Sequence, residues 1–203
     1  MRTTLALVAA AVLVQALPAR AALITDPGVN GENEFGGTLG YEFTLSDTQV
    51  VSALGVYNGF GLNASHEIGI WDASGDLLTE GTVAAHTPGD SSDFSYTTDL
   101  SNPAVVLLAD TDYWVGADYS TGDGVLQDIN NDQGYVAPTF ASDVTYIAPR
   151  YGPTYFAQPM NVGDVSEGGA YIGPNIEFVS APEPTSLALL SLGGLALLRR
   201  RRA

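Results

Sequence analysis

The stretch Asp112-Tyr113-Trp114-Val115-Gly116-Ala117-Asp118-Tyr119 decides the fold class. Tyr113, Val115, Ala117 and Tyr119 alternate with Trp114, Gly116 and Asp118, the period of two expected where successive side chains point to opposite faces of a strand. The density of apolar and aromatic residues predicts an internal strand with neighbours on both sides.

The same period recurs on either side of this stretch. Leu39, Tyr41, Phe43 and Leu45 share one face of a strand that Ser46-Asp47 ends, after a Gly- and Asn-rich loop over 28–40. Val50, Ser52, Leu54 and Val56 share a face in the next, closed by Asn58-Gly59. His66, Ile68 and Ile70 oppose Glu67, Gly69 and Trp71, and Asp72-Ala73-Ser74-Gly75 reads as a turn. Leu77-Leu78 and Thr82 to Ala85 predict a strand pair. Phe94 and Tyr96 start a further strand, Pro103 to Leu108 continues its layer, and Ile176 and Phe178, with Ile172, build the last strand within 171–179. Helix-favouring runs are absent from this region. Turn signals about eight to twelve residues apart predict an all-β fold, an antiparallel β-sandwich with a jelly-roll-like order.

The two ends read as addresses. Met1 to Ala21 has a positive start at Arg2, an apolar core from Leu5 to Leu17 and the small-x-small triplet Ala19-Arg20-Ala21, the parts of a helical signal peptide cleaved after Ala21. At the other end, Pro182-Glu183-Pro184 is followed by an apolar run to Leu198 and by Arg199, Arg200, Arg201 and Arg202. Residues 185–198 would make a helix of roughly 21 Å, short against a hydrocarbon core of about 30 Å. The arginines hold its end on the cytoplasmic side and lengthen the span by snorkelling. The organisation expected is therefore a signal peptide at 1–21, a sandwich ectodomain at 22–180 and a tail at 181–203.

That tail resembles the PEP-CTERM sorting signal of bacteria that make extracellular polysaccharide, and Pro182, Glu183 and Pro184 match its motif one by one. The resemblance implies an exosortase-type membrane protease as partner, beside signal peptidase, with cleavage near the triplet. It implies an exported protein of the cell envelope, cell surface or extracellular space, held transiently in the membrane by the C-terminal helix.

Removing the two ends sharpens the composition. Of 7 basic residues only Arg150 lies between them, and with Glu183 set aside 22 of the 23 acidic residues do, a balance of about −21. Such a surface repels nucleic acid and anionic lipid and suits solubility. With no cysteine, neither disulfides nor thiolate metal sites contribute.

Candidate chemistry is sparse. No Gly-x-Ser-x-Gly elbow is present, and His66-Glu67 opens like a zincin helix but meets Ile70 where the second histidine belongs. His66 thus reads as a structural strand residue, with His86 the only other imidazole. Asp128, Asn130 and Asp132 place oxygen ligands at alternate positions, as in the opening of a calcium loop, with Asp118 and Asp123 as extra ligands. Gln133 and Thr139 stand where such a loop wants Gly and Glu, so an acidic surface loop without metal is the competing reading. Residues 134–160 gather Tyr146, Tyr151 and Tyr155 among prolines around Arg150, a pattern that suits stacking on sugar rings. The competing reading is a long loop folded over an open sandwich edge around its own aromatics, with Arg150 as an ion-pair hub.

Leu39-Gly40-Tyr41-Glu42-Phe43, Val51 to Tyr57, His66 followed by Trp71-Asp72 and Gly75, and Thr111-Asp112-Tyr113-Trp114-Val115 together resemble a family of secreted β-sandwich domains of unassigned function. The resemblance covers roughly residues 38 to 119, and at 110 this chain has Asp where such domains offer Gly. Three classes of function are open to such a chain: a non-enzymatic surface or matrix protein associated with extracellular polysaccharide or biofilm; a carbohydrate-binding module using 134–160; and a secreted hydrolase, against which the missing nucleophile motifs argue. The first is the expectation carried forward.

Overall fold

The computed structural model describes residues 20–28, 31–32, 36–58, 62, 64–85, 94–103, 105–119, 129–130, 138–153, 155–163, 171 and 173–180. The signal helix and the tail helix expected from the sequence lie outside them. Every element described is a strand: β1 (Arg20–Ala22), β2 (Ile24–Asp26), β3 (Gly31–Glu32), β4 (Thr38–Leu45), β5 (Gln49–Tyr57), β6 (His66–Asp72), β7 (Leu77–Val83), β8 (Phe94–Thr97), β9 (Val106–Leu107), β10 (Tyr113–Asp118), β11 (Ile129–Asn130), β12 (Thr139–Phe140), β13 (Val144–Tyr151), β14 (Asn161–Val162) and β15 (Pro174–Ser180).

Two antiparallel sheets carry the fold, one ordered β1-β15-β5-β8 with β9 also on β5, the other β14-β13-β4-β10-β6-β7. Counting β1, β4, β5, β6, β7, β8, β10 and β15 as strands one to eight, the first pairs the last, the second the seventh, the third the sixth and eighth, and the fourth the fifth and seventh. This is the strand order of a jelly roll. β13 and β14 extend it beyond β4, and two short ladders, β2 with β12 and β3 with β11, tie the N-terminal segment to residues 139–140 and 129–130.

Period-two burial explains why these sheets face each other. Leu39, Tyr41, Phe43 and Leu45 of β4, Ile68 and Ile70 of β6, and Val115 and Ala117 of β10 are fully buried, as are Leu54, Val56 and Ile176 of the opposing sheet. Tyr41 also donates its hydroxyl to the Pro174 carbonyl at 3.0 Å, a bond between the sheets. The internal strand at 112–119 is as expected: β10 lies between β4 and β6.

Four details differ from the sequence reading. On β5 the core residues are Val51, Leu54 and Val56, whereas Val50 and Ser52 are half-buried. The register against β15 shifts between Glu177 and Phe178, so Ser52 is an extra residue and the inward face changes parity there. Leu77 to Val83 is one continuous strand, paired with β6 along its length, and not two short ones. The segment 134–160 contains β12 and the eight-residue β13, so Tyr146 and Tyr151 stand on a strand and not in a loop. The N-terminal residues Leu23 and Ile24, which showed no periodicity, are buried in the core.

Candidate binding face of the six-stranded sheet

The outward residues of β4, β10 and β6 form two rows. In the first, Gly40, Gly116 and Gly69 stand side by side; in the second, Glu42, Trp114 and Trp71 do. A row of glycines leaves a furrow, and residues 152–153 and 155–160 lie down in it. A Cβ on Gly116 would sit 3.0 Å from Pro159 Cγ, and one on Gly69 2.9 Å from Phe156 Cζ.

Thr38 and Asp72 fasten this strap. Thr38 donates its hydroxyl to the Tyr155 carbonyl at 2.9 Å and accepts from the Ala157 N–H at 3.2 Å. Gln158 donates its side-chain amide to the Asp72 carbonyl at 3.3 Å. Phe156 stacks on Trp71 with centroids 5.3 Å apart, which buries that indole.

Arg150 reaches the same face from β13. A bulge at Ile147 places Tyr146 opposite Phe43 but Ala148 opposite Glu42, so Arg150 points outward beside Gly40. Its Nε donates to Glu42 Oε2 at 3.0 Å, its Nη2 bonds the same oxygen, and its Nη1 donates to the Met160 carbonyl at 3.2 Å. The guanidinium also lies over the Trp114 ring, 5.6 Å from its centroid. The chain's one basic residue between its two ends thus holds a carboxylate, an indole and the strap together.

Beside Trp114 the surface opens into a hollow of about 120 Å³, lined by Ala73, Ser74, Gly75, Trp114, Gln158 and Met160. The β6–β7 turn forms its wall because Asp72 Oδ1 accepts from the N–H groups of Ser74 and Asp76, while Gly75 takes a φ of 90°. Met160, 71% exposed, forms the rim. The arrangement offers an aromatic and thioether surface next to hydroxyl and amide groups, with no His, Cys, Asp or Glu among the lining residues.

Of the residues singled out for sugar stacking, the fold brings Arg150 and Tyr155 to the side of the strap, with Tyr155 64% exposed. It sends Tyr146 and Tyr151 to the opposite side, packed against the core. Tyr146 lies 5.3 Å from Phe140 and 6.0 Å from Tyr41, ring to ring. Trp114, Met160 and the β6–β7 turn were missed as site residues. Their signal was the recurrence of Gly at the outward positions 40, 69 and 116, each flanked by inward apolar residues.

Among the calcium candidates, Asp128, Asp132 and Asp123 lie outside the described residues, and Asn130 is placed only by its backbone pairing with Gly31. Asp118 is buried at the end of β10, where its carbonyl lies 2.8 Å from His66 Nδ1. The His66 ring packs 5.0 Å from Tyr119, a structural role on β6. No group of three or more His, Cys, Asp or Glu with metal-holding geometry occurs among the described residues. Pro182, Glu183, Pro184 and the arginines Arg199 to Arg202 lie outside those residues, as does Ala19; Ala21 falls in β1.

The described strands define an all-β sandwich with a jelly-roll strand order and a strapped outer face. The chain belongs to the family described as a domain of unknown function, DUF4082, which matches residues 25–173. Residues 180–202 match the PEP-CTERM protein-sorting motif, which marks an exported, envelope-targeted protein processed by an exosortase-type system. No curated protein matches the chain.

Proposed function

We propose that this protein is a non-enzymatic component of the cell surface or extracellular matrix that associates with extracellular polysaccharide through the hollow beside Trp114. The observation that carries the reading is the pairing of a sorting motif at 180–202 with a domain whose outer face presents an indole, a thioether and a turn hydroxyl around one opening. Sugars expose apolar ring faces and a fringe of hydroxyls, which such a surface complements. An acidic surface suits neutral glycans and keeps the domain off nucleic acid and anionic lipid. The reading includes a signal peptide at 1–21 and a tail that dwells in the membrane until it is cut.

Cosedimentation of the secreted protein with the producing bacterium's own polysaccharide, with calcium and with a chelator, tests this. Binding that survives chelation and falls about tenfold in Trp114→Ala, but not in Tyr151→Ala, supports the hollow. Loss of binding on chelation moves the site to Asp128, Asn130 and Asp132. Absence of binding in both buffers removes the polysaccharide role, and turnover of any polysaccharide by the purified protein removes the non-enzymatic one.

A further inference from the structure

The two ends of the folded domain lie against each other. β1 covers the outer edge of β15 in the register Arg20 to Val179, Ala21 to Phe178 and Ala22 to Glu177. The other edge of β15 is paired with β5, with Phe178 opposite Val51, Val179 opposite Val50 and Ser180 opposite Gln49. β15 spans the gap between the family match, which ends at 173, and the sorting motif, which begins at 180.

Hydrolysis of the Ala21–Ala22 amide by one water would leave a carboxylate on the departing Ala21 and an ammonium on Ala22. The cut falls inside β1, removing the partners of Val179 and Phe178. The chain on the C-terminal side of the cut stays in place: the Leu23 N–H donates to the Ile176 carbonyl at 2.8 Å, the Ile24 N–H donates to Asn175 Oδ1 at 2.9 Å, and Leu23 is fully buried. The new ammonium forms in register with Glu177, which favours retention of the shortened end. The outcome is a strand still held on one side by β5 and bare on the other from Phe178 to Ser180. That edge ends two residues before Pro182, whose ring removes a donor and stops further pairing.

We propose that this uncovered edge is the docking surface of the sorting protease. A strand of the protease adds to β15 over 178–180, which fixes the direction and distance at which Pro182-Glu183-Pro184 is presented. The signal-peptide cut then licenses the tail cut, and until it happens β1 shields the edge from pairing with other chains. This rests on the reading of 1–21 as a leader cleaved after Ala21, which N-terminal sequencing tests apart from the docking edge.

The full chain is expressed in a host carrying the sorting system, in three forms: unaltered, with Arg-Val inserted between Ala21 and Ala22, which creates no second small-x-small site, and with Arg-Pro inserted there. Cleavage after Ala21 then leaves the first insertion with a complete β1, whereas the proline of the second cannot donate to the ladder. Tail release is followed as the mass shift of the mature protein, and its N-terminus is sequenced. Tail release about tenfold slower with Arg-Val, and near the unaltered rate with Arg-Pro, is the expected result. Equal rates in all three overturn the docking edge while leaving the leader intact. A mature N-terminus upstream of Arg20 overturns the leader reading and, because β1 then persists, the docking edge with it.

Discussion

The two faces of the six-stranded sheet are both covered, by opposite means. Inward, Leu39, Tyr41, Phe43, Leu45, Ile68 and Ile70 lose all contact with water against a second sheet. Outward, a glycine row and a Glu-Trp-Trp row are covered by the irregular chain at 152–153 and 155–160, pinned by Thr38, Gln158 and the Arg150–Glu42 pair. The inner face depends on summed apolar area, so each residue contributes a share. The outer face depends on a few polar contacts, so one residue can release it. Alternation of polar and apolar residues therefore marks which face meets the core, but not which face meets the solvent.

The largest expected effect is on the inner face. Phe43 is fully buried and lies 6.1 Å from Tyr113 and 6.2 Å from Tyr41, ring to ring. Phe43→Ala should cost about 3–5 kcal/mol, combining lost transfer energy with the cavity left behind. Thermal unfolding should show a Tm lower by roughly 10 °C. A loss under about 1 kcal/mol would mean that the strap, and not the core, dominates stability.

On the outer face, Glu42→Ala should cost about 3 kcal/mol, because it strands the Arg150 guanidinium where only 15% of the side chain is exposed. Replacing both partners in Glu42→Leu/Arg150→Met should recover most of that loss, since no buried charge then remains. Tryptophan emission, from Trp71 beneath Phe156 and Trp114 beneath Arg150, reports whether the strap has lifted. If the double variant is as unstable as the single one, the ion pair is stabilising in its own right and the two faces are more alike than their chemistry suggests.

The inner face was legible in the sequence because one physical rule, alternation, assigns it. Leu39 to Leu45, His66 to Ile70 and 112–119 all fall where that rule places them. It failed on β5, where the extra residue at Ser52 exchanges Val50 for Val51, and a bulge leaves no mark in composition. The outer face was not legible. Arg150 stood out by its charge, but its partner was one of 22 carboxylates, and only the register against β4 selects Glu42. Tyr146 and Tyr151 looked like neighbours of Arg150 in a loop, whereas both stand on the far side of a strand, Tyr151 by plain alternation and Tyr146 because the bulge at Ile147 changes the parity. The PEP-CTERM tail was legible because its information is local and needs no register.

A smaller effect separates the two faces by pH. Burial raises the phenol of Tyr41 well above its ordinary range, helped by the nearby Tyr96, Tyr146 and Tyr119. Burial also raises that of Tyr96, with Glu177 adding to the rise and the hydrogen bond from Asn175 opposing it. A raised folded value means that the unfolded chain releases these protons first, at a pH of about 10. Stability should then hold up to that pH and fall as pH rises beyond it. Tyr41→Phe should cost about 1 kcal/mol at neutral pH through the lost bond to Pro174 and should flatten the alkaline decline. Tyrosinate absorbance followed through the unfolding transition checks both; an unchanged slope in Tyr41→Phe would place the alkaline sensitivity elsewhere.

The smallest effect lies on neither face. Asp110 follows β9 with a φ of 54°, in the left-handed region that favours glycine, and its N–H donates to the Leu45 carbonyl at 2.8 Å. A left-handed non-glycine residue costs about 1–2 kcal/mol, less for Asp than for most. Glycine would relieve that strain but gives the unfolded chain more freedom, worth roughly 0.5–1 kcal/mol. Asp110→Gly should therefore be neutral or stabilising by about 0.5 kcal/mol. A clear loss in Tm would show that the Asp110 side chain holds the 108–112 turn against β4, so that the inner face depends on one polar contact just as the outer face does.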